Sequence, residues 1–155
     1  MGRARHAFTL VEILIVVVIL GILAALVVPS FASASDESRR TVFVTELRQF
    51  VDAAILYENI EGAPVPDLST GETSEAWSRY VDAATWTAQT PIGGSWDAEL
   101  NSFGVRSAIG VHFDDENTAK DDEYMLIIDR MIDDGDLEDG GFQRIADGRY
   151  YSVFR

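Results

Sequence analysis

Hydrophobic side chains are concentrated in one block near the start of the chain. The block covers residues 8–28, about 21 residues, and from Ile13 onward it contains no charged side chain. A helix needs about 20 predominantly apolar residues to cross the hydrocarbon core of a bilayer. The pattern therefore predicts that residues 8–28 form a membrane-spanning helix.

The segment before this block is short and basic. Residues 1–7 include Arg3 and Arg5. Positively charged flanks stay on the cytoplasmic side of a membrane. We therefore expect residues 1–7 to face the cytoplasm and the chain after Pro29 to lie outside it.

Beyond the block, hydrophobic residues continue with a helical period. They recur at steps of three and four among charged residues, at Phe43, Leu47, Phe50, Val51, Ala54 and Leu56 or Tyr57. Such a stripe is the buried face of an amphipathic helix. We predict that residues 29–60 continue the first helix, that Gly62 and Pro64 end it, and that a globular domain packs on the stripe.

Residues 61–155 predict that globular domain, built from mixed elements. Helical spacing predicts helices and period-two alternation predicts strands. The predicted elements are a helix over 75–85, strands over 95–100 and 105–113, a helix over 121–134 with Tyr124, Ile127, Ile128 and Met131 on its apolar face, and strands over 142–145 and 150–154. The fold class is α+β: a long N-terminal helix, transmembrane in its first half, packed against a small antiparallel sheet of about four strands.

A single acid interrupts the apolar block. A carboxylate such as that of Glu12 costs about 2.5–3.5 kcal/mol at the centre of a spanning helix and less near an end, and it is by default a functional group that requires a partner. Three interpretations of residues 8–34 are open. The first is a signal peptide, because Ala32-Ser33-Ala34 is typical of a cleavage site, and the second is a passive membrane anchor. The third is a segment in which Glu12 acts in assembly.

The residues around Glu12 favour the third interpretation. The run from Ala7-Phe8 to Pro29 resembles the processing motif of type IV pilins and type II secretion pseudopilins. It has an acid at the fifth position after Ala7, Gly21 inside the apolar run and Pro29 at its end. The resemblance implies that a prepilin peptidase cleaves between Ala7 and Phe8 and that the new amino group of Phe8 is N-methylated. Most family members have glycine where this chain has Ala7.

The same resemblance implies a function in assembly for Glu12, Gly21 and Pro29. After cleavage, the cationic amine belongs to Phe8, which lies four residues before Glu12 (positions i and i+4). The two groups can therefore pair within a subunit or between neighbours. The implied partners are other pilin or pseudopilin subunits, the prepilin peptidase/methyltransferase and an inner-membrane assembly platform. The implied location is the inner membrane, in a single pass with the C-terminal domain outside the cytoplasm, and then a periplasmic or surface filament.

Within this family the sequence favours a pseudopilin of a type II secretion-like system. Residues 86–97, which contain Trp86 and Trp96, also resemble a stretch of pilin-domain proteins of that group. We predict that both tryptophans are core residues. The competing hypotheses are an exported or membrane-anchored soluble binding domain that uses residues 8–34 only as signal or anchor, and a monomeric membrane-tethered ligand binder.

Composition argues against several other functions. The formal net charge is −14 and Lys120 is the only lysine, so the clustered cations that bind nucleic acid are missing. The chain has no cysteine, which excludes disulfides and thiolate chemistry. The two histidines are His6 and His112, and no nucleophile motif accompanies them. We expect no enzymatic activity.

Acidic residues cluster in residues 133–139. Asp134, Asp136 and Glu138 alternate as the first ligands of a calcium loop do. However, Asp139 stands where such a loop needs glycine, and Ile145 stands where it needs a closing glutamate, so this is not an EF-hand. Two interpretations are open, a solvated acidic surface and a calcium site at these three residues. We expect no other cofactor.

Overall fold

The computed structural model describes residues 9–68, 70–115 and 119–154. In chain order the elements are α1 (Leu10–Glu61), a 3₁₀ turn (Trp77–Arg79), α2 (Ala83–Thr87), β1 (Ser95–Leu100), β2 (Ser107–His112), α3 (Asp122–Ile132), β3 (Phe142–Ala146) and β4 (Arg149–Phe154). The predicted α+β class, with one long N-terminal helix and four antiparallel strands, is confirmed. The predicted helix over 75–85 is two short helical turns.

The chain divides into two compact units, Met1–Ser38 and Arg39–Arg155, and we call the second the head unit. In the first unit, the large apolar side chains of α1 between Leu10 and Val28 are all exposed. Within the described ranges, α1 is the one helix long and apolar enough, by length and composition, to cross a membrane.

Helix α1 ends where the sequence predicts. It continues through residue 29 to Glu61, and Gly62 follows with φ of +76°. The Gly62 N–H donates to the Glu58 carbonyl at 3.0 Å, which satisfies one of the last carbonyls of the helix. Glycine is favoured there because a side chain strains the left-handed conformation.

The four strands form one antiparallel sheet in the order β1-β2-β4-β3. Strands β3 and β4 form a hairpin through Asp147-Gly148, and α3 lies in the chain between β2 and β3. The register aligns Trp96 with Val111 and Val111 with Tyr150, so these three side chains share the inner face of the sheet.

The core of the head unit is an aromatic layer between α1 and the sheet. Phe43 stacks on Trp96 with ring centroids 5.1 Å apart, and Phe50 meets the edges of Trp86 and Trp96 at 5.0 and 4.8 Å. Such pairs contribute about 0.5–1.5 kcal/mol each beyond burial of their area. Trp86 and Trp96 are fully buried, which confirms their assignment as core residues.

The apolar face predicted for α3 is confirmed in part, because Ile128 is buried and Tyr124 and Met131 pack against the core, but the most buried face is rotated from the predicted one. Met125, Ile128 and Asp129 are the buried residues, whereas Ile127 is 37% exposed. Tyr124 instead lies at the edge of the core, with the guanidinium of Arg40 4.9 Å from its ring centroid. The face that α3 buries therefore includes an acid.

The outer face of the sheet holds a buried polar cluster. Asp97 and Glu99 alternate with inward-facing Trp96, yet they are only 3% and 5% exposed. Arg149 donates to both carboxylates, and the Tyr151 hydroxyl donates to Asp97 at 2.6 Å. Burial raises the pKa of Asp97 and of Glu99, while the Arg149 charge opposes this rise. One cation therefore compensates two buried acids.

Gly110 makes room for this cluster. It lies between Asp97 and Tyr151 in the register of the sheet. A Cβ atom at residue 110 would lie 2.1 Å from the Tyr150 carbonyl oxygen and 2.8 Å from Cγ of Tyr151. Glycine is thus required by the close approach of the neighbouring strand.

We predict that Arg149→Met lowers the free energy of unfolding of the full chain in detergent by about 3–5 kcal/mol, because it leaves buried carboxylates without a cation. The matched control is Arg106→Met, which breaks the more exposed pair with Glu58 and should cost no more than about 1 kcal/mol. Denaturant titration measures both. Equal losses in the two variants would contradict the assigned importance of the cluster.

Candidate functional site

The first turn of α1 is built around Thr9 and Glu12. The Thr9 backbone N–H and hydroxyl donate to the Glu12 carboxylate at 2.8 and 2.7 Å. The Glu12 backbone N–H points back to the Thr9 hydroxyl oxygen at 3.3 Å. This reciprocal pattern is a capping box, which satisfies backbone donors that the start of a helix leaves without partners.

The capping box bears on the cost of Glu12 in an apolar environment. An isolated carboxylate in hydrocarbon is heavily penalised, and hydrogen bonds to its oxygens reduce that penalty. A single chain thus supplies the Glu12 carboxylate with two hydrogen-bond donors, both from Thr9. The signal was present in the sequence, because Thr9-Leu10-Val11-Glu12 has the Thr-x-x-Glu spacing of a capping box.

The other predicted residues of this segment are placed as follows. Ala7 and Phe8 lie outside the described residues, so the cleavage site and the pairing of the Phe8 amine with Glu12 remain predictions. Gly21 lies within α1, and a Cβ atom there would meet no other atom within 4 Å in one chain. The helix is unbroken at residue 29, where Pro29 was predicted to act in assembly.

We predict that Thr9→Ala loosens the first turn of α1, because it removes the hydroxyl that both donates to and accepts from Glu12. Loss of a cap of this kind costs about 0.5–2 kcal/mol. Amide hydrogen exchange of the chain in detergent micelles should show several-fold lower protection at Glu12. Thr9→Ser keeps the hydroxyl and is the control. Unchanged protection in the alanine variant would show that the capping box contributes nothing.

A second site lies at the end of α3. Asp129, Asp133 and Asp134 each place a carboxylate oxygen within 4.8 Å of the other two. Asp129 is fully buried, and within the part of the chain that the structure describes neither of its side-chain oxygens has a hydrogen-bond partner. A buried carboxylate without partners is costly, so this arrangement favours a proton or a bound cation.

The electrostatics of Asp129 point in the same direction. Burial raises the pKa of Asp129, and the nearby charges of Asp134 and Asp133 raise this pKa further, whereas the nearby backbone N–H groups of Gly135 and Asp136 lower it in part. Several carboxylates converging on one point are the oxygen ligands that Ca²⁺ and Mg²⁺ prefer. Bound at this point, such a cation would supply the missing partner for the Asp129 carboxylate.

Of the three acids that the sequence predicted as calcium ligands, only Asp134 belongs to this cluster. Asp136 and Glu138 lie in the following loop, where the Glu138 N–H donates to the Asp136 carboxylate at 3.0 Å. Sequence reasoning missed Asp129 and Asp133. Their signal was the spacing of Met125, Ile128, Asp129 and Ile132, which places an acid on the core stripe of a helix.

His112 does not form a catalytic arrangement. Its Nδ1 atom lies 3.0 Å from the Thr70 hydroxyl and 3.2 Å from the Asp114 carboxylate. In a catalytic triad the nucleophile and the acid contact opposite ring nitrogens. Here both groups contact the same nitrogen, so His112 cannot relay a proton between them, and this geometry gives no support for hydrolysis.

Comparison with known proteins gives one family match. Residues 2–28 match the model described as a prokaryotic N-terminal methylation motif. This range contains Thr9 and Glu12 and the exposed apolar part of α1. No solved structure matches the chain.

Curated relatives match part of the chain. The chain is similar to the type II secretion system core protein G of Pseudomonas aeruginosa, 46% identical over 36% of this chain and 39% of the relative. It is also similar to the proteins of the same name from Klebsiella michiganensis, 38% identical over 44% and 48% of the two chains, and Pectobacterium carotovorum, 37% identical over 37% and 36%. The chain thus spans less than half the length of these relatives.

Proposed function

We propose that the chain is a member of the pilin and pseudopilin family and a structural subunit of a type IV pilus-like filament, because its N-terminal segment matches the methylation motif and resembles the core protein G relatives. In this proposal it is a pseudopilin of a type II secretion-like system. A prepilin peptidase cleaves it between Ala7 and Phe8, and it polymerises through α1. The observation that carries the proposal is an exposed apolar helix that begins with a hydrogen-bonded acid inside a methylation motif.

The exposed apolar part of α1 is compatible with two environments, a bilayer and a bundle of identical helices. Lipid tails are about as apolar as leucine side chains, so transfer from one environment to the other changes the hydrophobic energy little. Packing and polar contacts between helices then decide whether subunits associate. Glu12 is the polar side chain with the strongest requirement for a partner, because its carboxylate is ionisable.

Glu12 would set the register between subunits. Once the leader is removed, the amine of Phe8 on a neighbouring helix could approach the Glu12 carboxylate, which already accepts hydrogen bonds from Thr9. In a low-dielectric filament core, a misaligned helix would leave this acid without a cation at a cost of several kcal/mol. Correct alignment is therefore favoured over neighbouring registers.

The proposal includes a location and partners. Before assembly, the subunit crosses the inner membrane once with its C-terminal domain outside the cytoplasm, in keeping with Arg3 and Arg5 ahead of the apolar block. Its partners are other pilin or pseudopilin subunits, the prepilin peptidase/methyltransferase and an inner-membrane assembly platform. No catalytic activity is proposed.

We predict that Glu12→Ala is inserted and cleaved normally but reduces the filament yield at least about tenfold, since about 1.4 kcal/mol lost per contact lowers an association constant tenfold. The chain is co-expressed with its peptidase and assembly system, and sheared filaments are counted by electron microscopy. The matched control is Glu75→Ala, which removes an exposed acid of the head unit and should leave the yield unchanged. A normal yield from Glu12→Ala would contradict the register function.

We also propose that Asp129, Asp133 and Asp134 hold a calcium ion that fixes the segment between α3 and β3. The support is the buried Asp129 carboxylate without a partner and the convergence of three acids on one point. The Gly141 N–H, just ahead of β3, donates to the Asp133 carboxylate, so a fixed Asp133 also holds the start of that strand. The proposed function of the ion is structural, because it would join the end of α3 to the start of β3.

We predict that calcium stabilises the wild-type chain in detergent and so raises its Tm. At a calcium concentration a hundredfold above Kd, the free energy of unfolding should rise by about 2.7 kcal/mol. Asp129→Asn should lose this response and, in chelator, should be more stable than wild type at neutral pH because it removes a buried charge. Asp136→Asn lies outside the cluster and should keep the response. An equal calcium response in wild type and Asp129→Asn would exclude this site.

The pH dependence in chelator provides a second check. The pKa of Asp129 is raised in the folded chain. At pH values between the unfolded-state pKa and this raised pKa, the folded chain therefore binds more protons than the unfolded chain. Stability contributed by the protonated acid is therefore lost as pH rises from the ordinary carboxyl range through the raised pKa. The wild type should show this loss and Asp129→Asn should show less of it.

A further inference from the structure

An open groove of about 590 Å³ lies in the head unit beside the acid cluster. Its apolar lining includes Val51 and Ile55 of α1 and Ile132 and Phe154 from the ends of α3 and β4, and its acidic lining includes Asp133 and Asp139. Ile55 is 47% exposed. A groove with an apolar floor and an acidic rim is complementary to a surface with one apolar and one cationic side chain.

The same chain presents such a surface at the start of the head unit. Arg39 and Val42 lie at i and i+3 on α1, so they share one face of the helix. Arg39 is exposed, and Val42 is 43% exposed. Three arginines of the head unit, Arg106, Arg144 and Arg149, pair with carboxylates. Arg39 has no ion pair with any residue that the structure describes, so its charge is available to an outside partner.

We propose that the groove of one copy receives the Arg39–Val42 face of α1 of a second copy. The inference rests on the proposed filament, in which copies of α1 run parallel. Arg39 precedes Val51 by 12 residues and Val42 precedes Ile55 by 13, which corresponds to an axial offset of about 18–20 Å at about 1.5 Å per residue. The two surfaces differ, so the contact is heterologous and can repeat from copy to copy. Because each copy is also shifted along the axis, the repeats form an open helical assembly and not a closed ring.

Charge supports a second copy as the occupant. With a formal net charge of −14, identical chains repel one another unless cations of one copy meet acids of the next. The six acids of this region outnumber the two charges of a calcium ion; they are Asp129, Asp133, Asp134, Asp136, Glu138 and Asp139. The rim of the groove therefore stays negatively charged when a calcium ion is bound, and Arg39 of the second copy carries the complementary positive charge.

Cysteine cross-linking tests this contact, because the chain has no cysteine of its own. The double variant carries Val42→Cys and Ile55→Cys. Within one α1 these residues are about 20 Å apart, whereas a disulfide requires Cα atoms about 4.4–6.8 Å apart, so only different copies can be joined. Oxidation of assembled filaments should give a ladder of covalent oligomers. The control, Val42→Cys with Phe103→Cys, uses another exposed apolar residue and should give no ladder.

The outcomes separate this contact from the filament itself. Filaments of the Val42/Ile55 variant that give no ladder would overturn the contact and leave the proposed function standing. Absence of filaments from the wild type in a complete assembly system would overturn the proposed function, and the contact with it.

A charge exchange covers the case in which the cysteine variant does not assemble. Arg39→Glu should reduce the filament yield roughly fivefold or more, and adding Asp139→Arg to the same chain should restore the yield to within about twofold of wild type. Failure of this rescue would assign Arg39 to a different partner, such as anionic lipid headgroups, and would overturn the contact between copies.

Discussion

The hydrogen-bonded carboxylate of Glu12 is the interaction on which the proposed assembly of this chain depends. An apolar helix without an acid gains little hydrophobic energy by moving from a bilayer into a bundle of helices, because lipid tails are about as apolar as its side chains. The carboxylate adds a requirement for donors, and the capping box with Thr9 meets it within one chain. Since hydrogen bonds of this kind are short and directional, the acid is held in a fixed orientation at the start of α1. This fixed orientation is the basis of the proposed function of Glu12 in aligning neighbouring helices.

The two units of the chain differ in the side chains that they carry. The first unit carries the exposed apolar surface, and the head unit carries the aromatic layer and most of the charge. The aromatic layer fixes α1 to the sheet through Phe43 and Phe50. The acids are of two kinds. Asp97 and Glu99 are buried and compensated by Arg149, whereas Asp129 is buried and has no compensating partner within the described residues. The first pair is compensated within the sheet, whereas the second site is the basis of the proposed calcium site.

The sequence predicted the elements with strong periodicity and missed the features that depend on tertiary contacts. The helical stripe through Phe43, Leu47 and Phe50 and the four strands were predicted correctly because each pattern persists over several residues. The buried positions of Asp97 and Glu99 were not predicted, since alternation assigns them to the solvent side of a strand. Their burial depends on Arg149 and Tyr151, which are distant in sequence. Asp129 was missed because an acid on a core stripe contradicts the usual pattern. The capping box could have been predicted, because its spacing is local.

The central claim is that the mature chain starts at a peptidase-processed Phe8 whose amine can pair with Glu12. The most direct test is the intact mass of the mature chain purified from membranes of a host that expresses the prepilin peptidase, combined with fragmentation of its N-terminus. The account predicts a chain that begins at Phe8 and carries one methyl group on its amino nitrogen. A chain that still begins at Met1, or one that begins at Ser35 after signal-peptide cleavage, would contradict it.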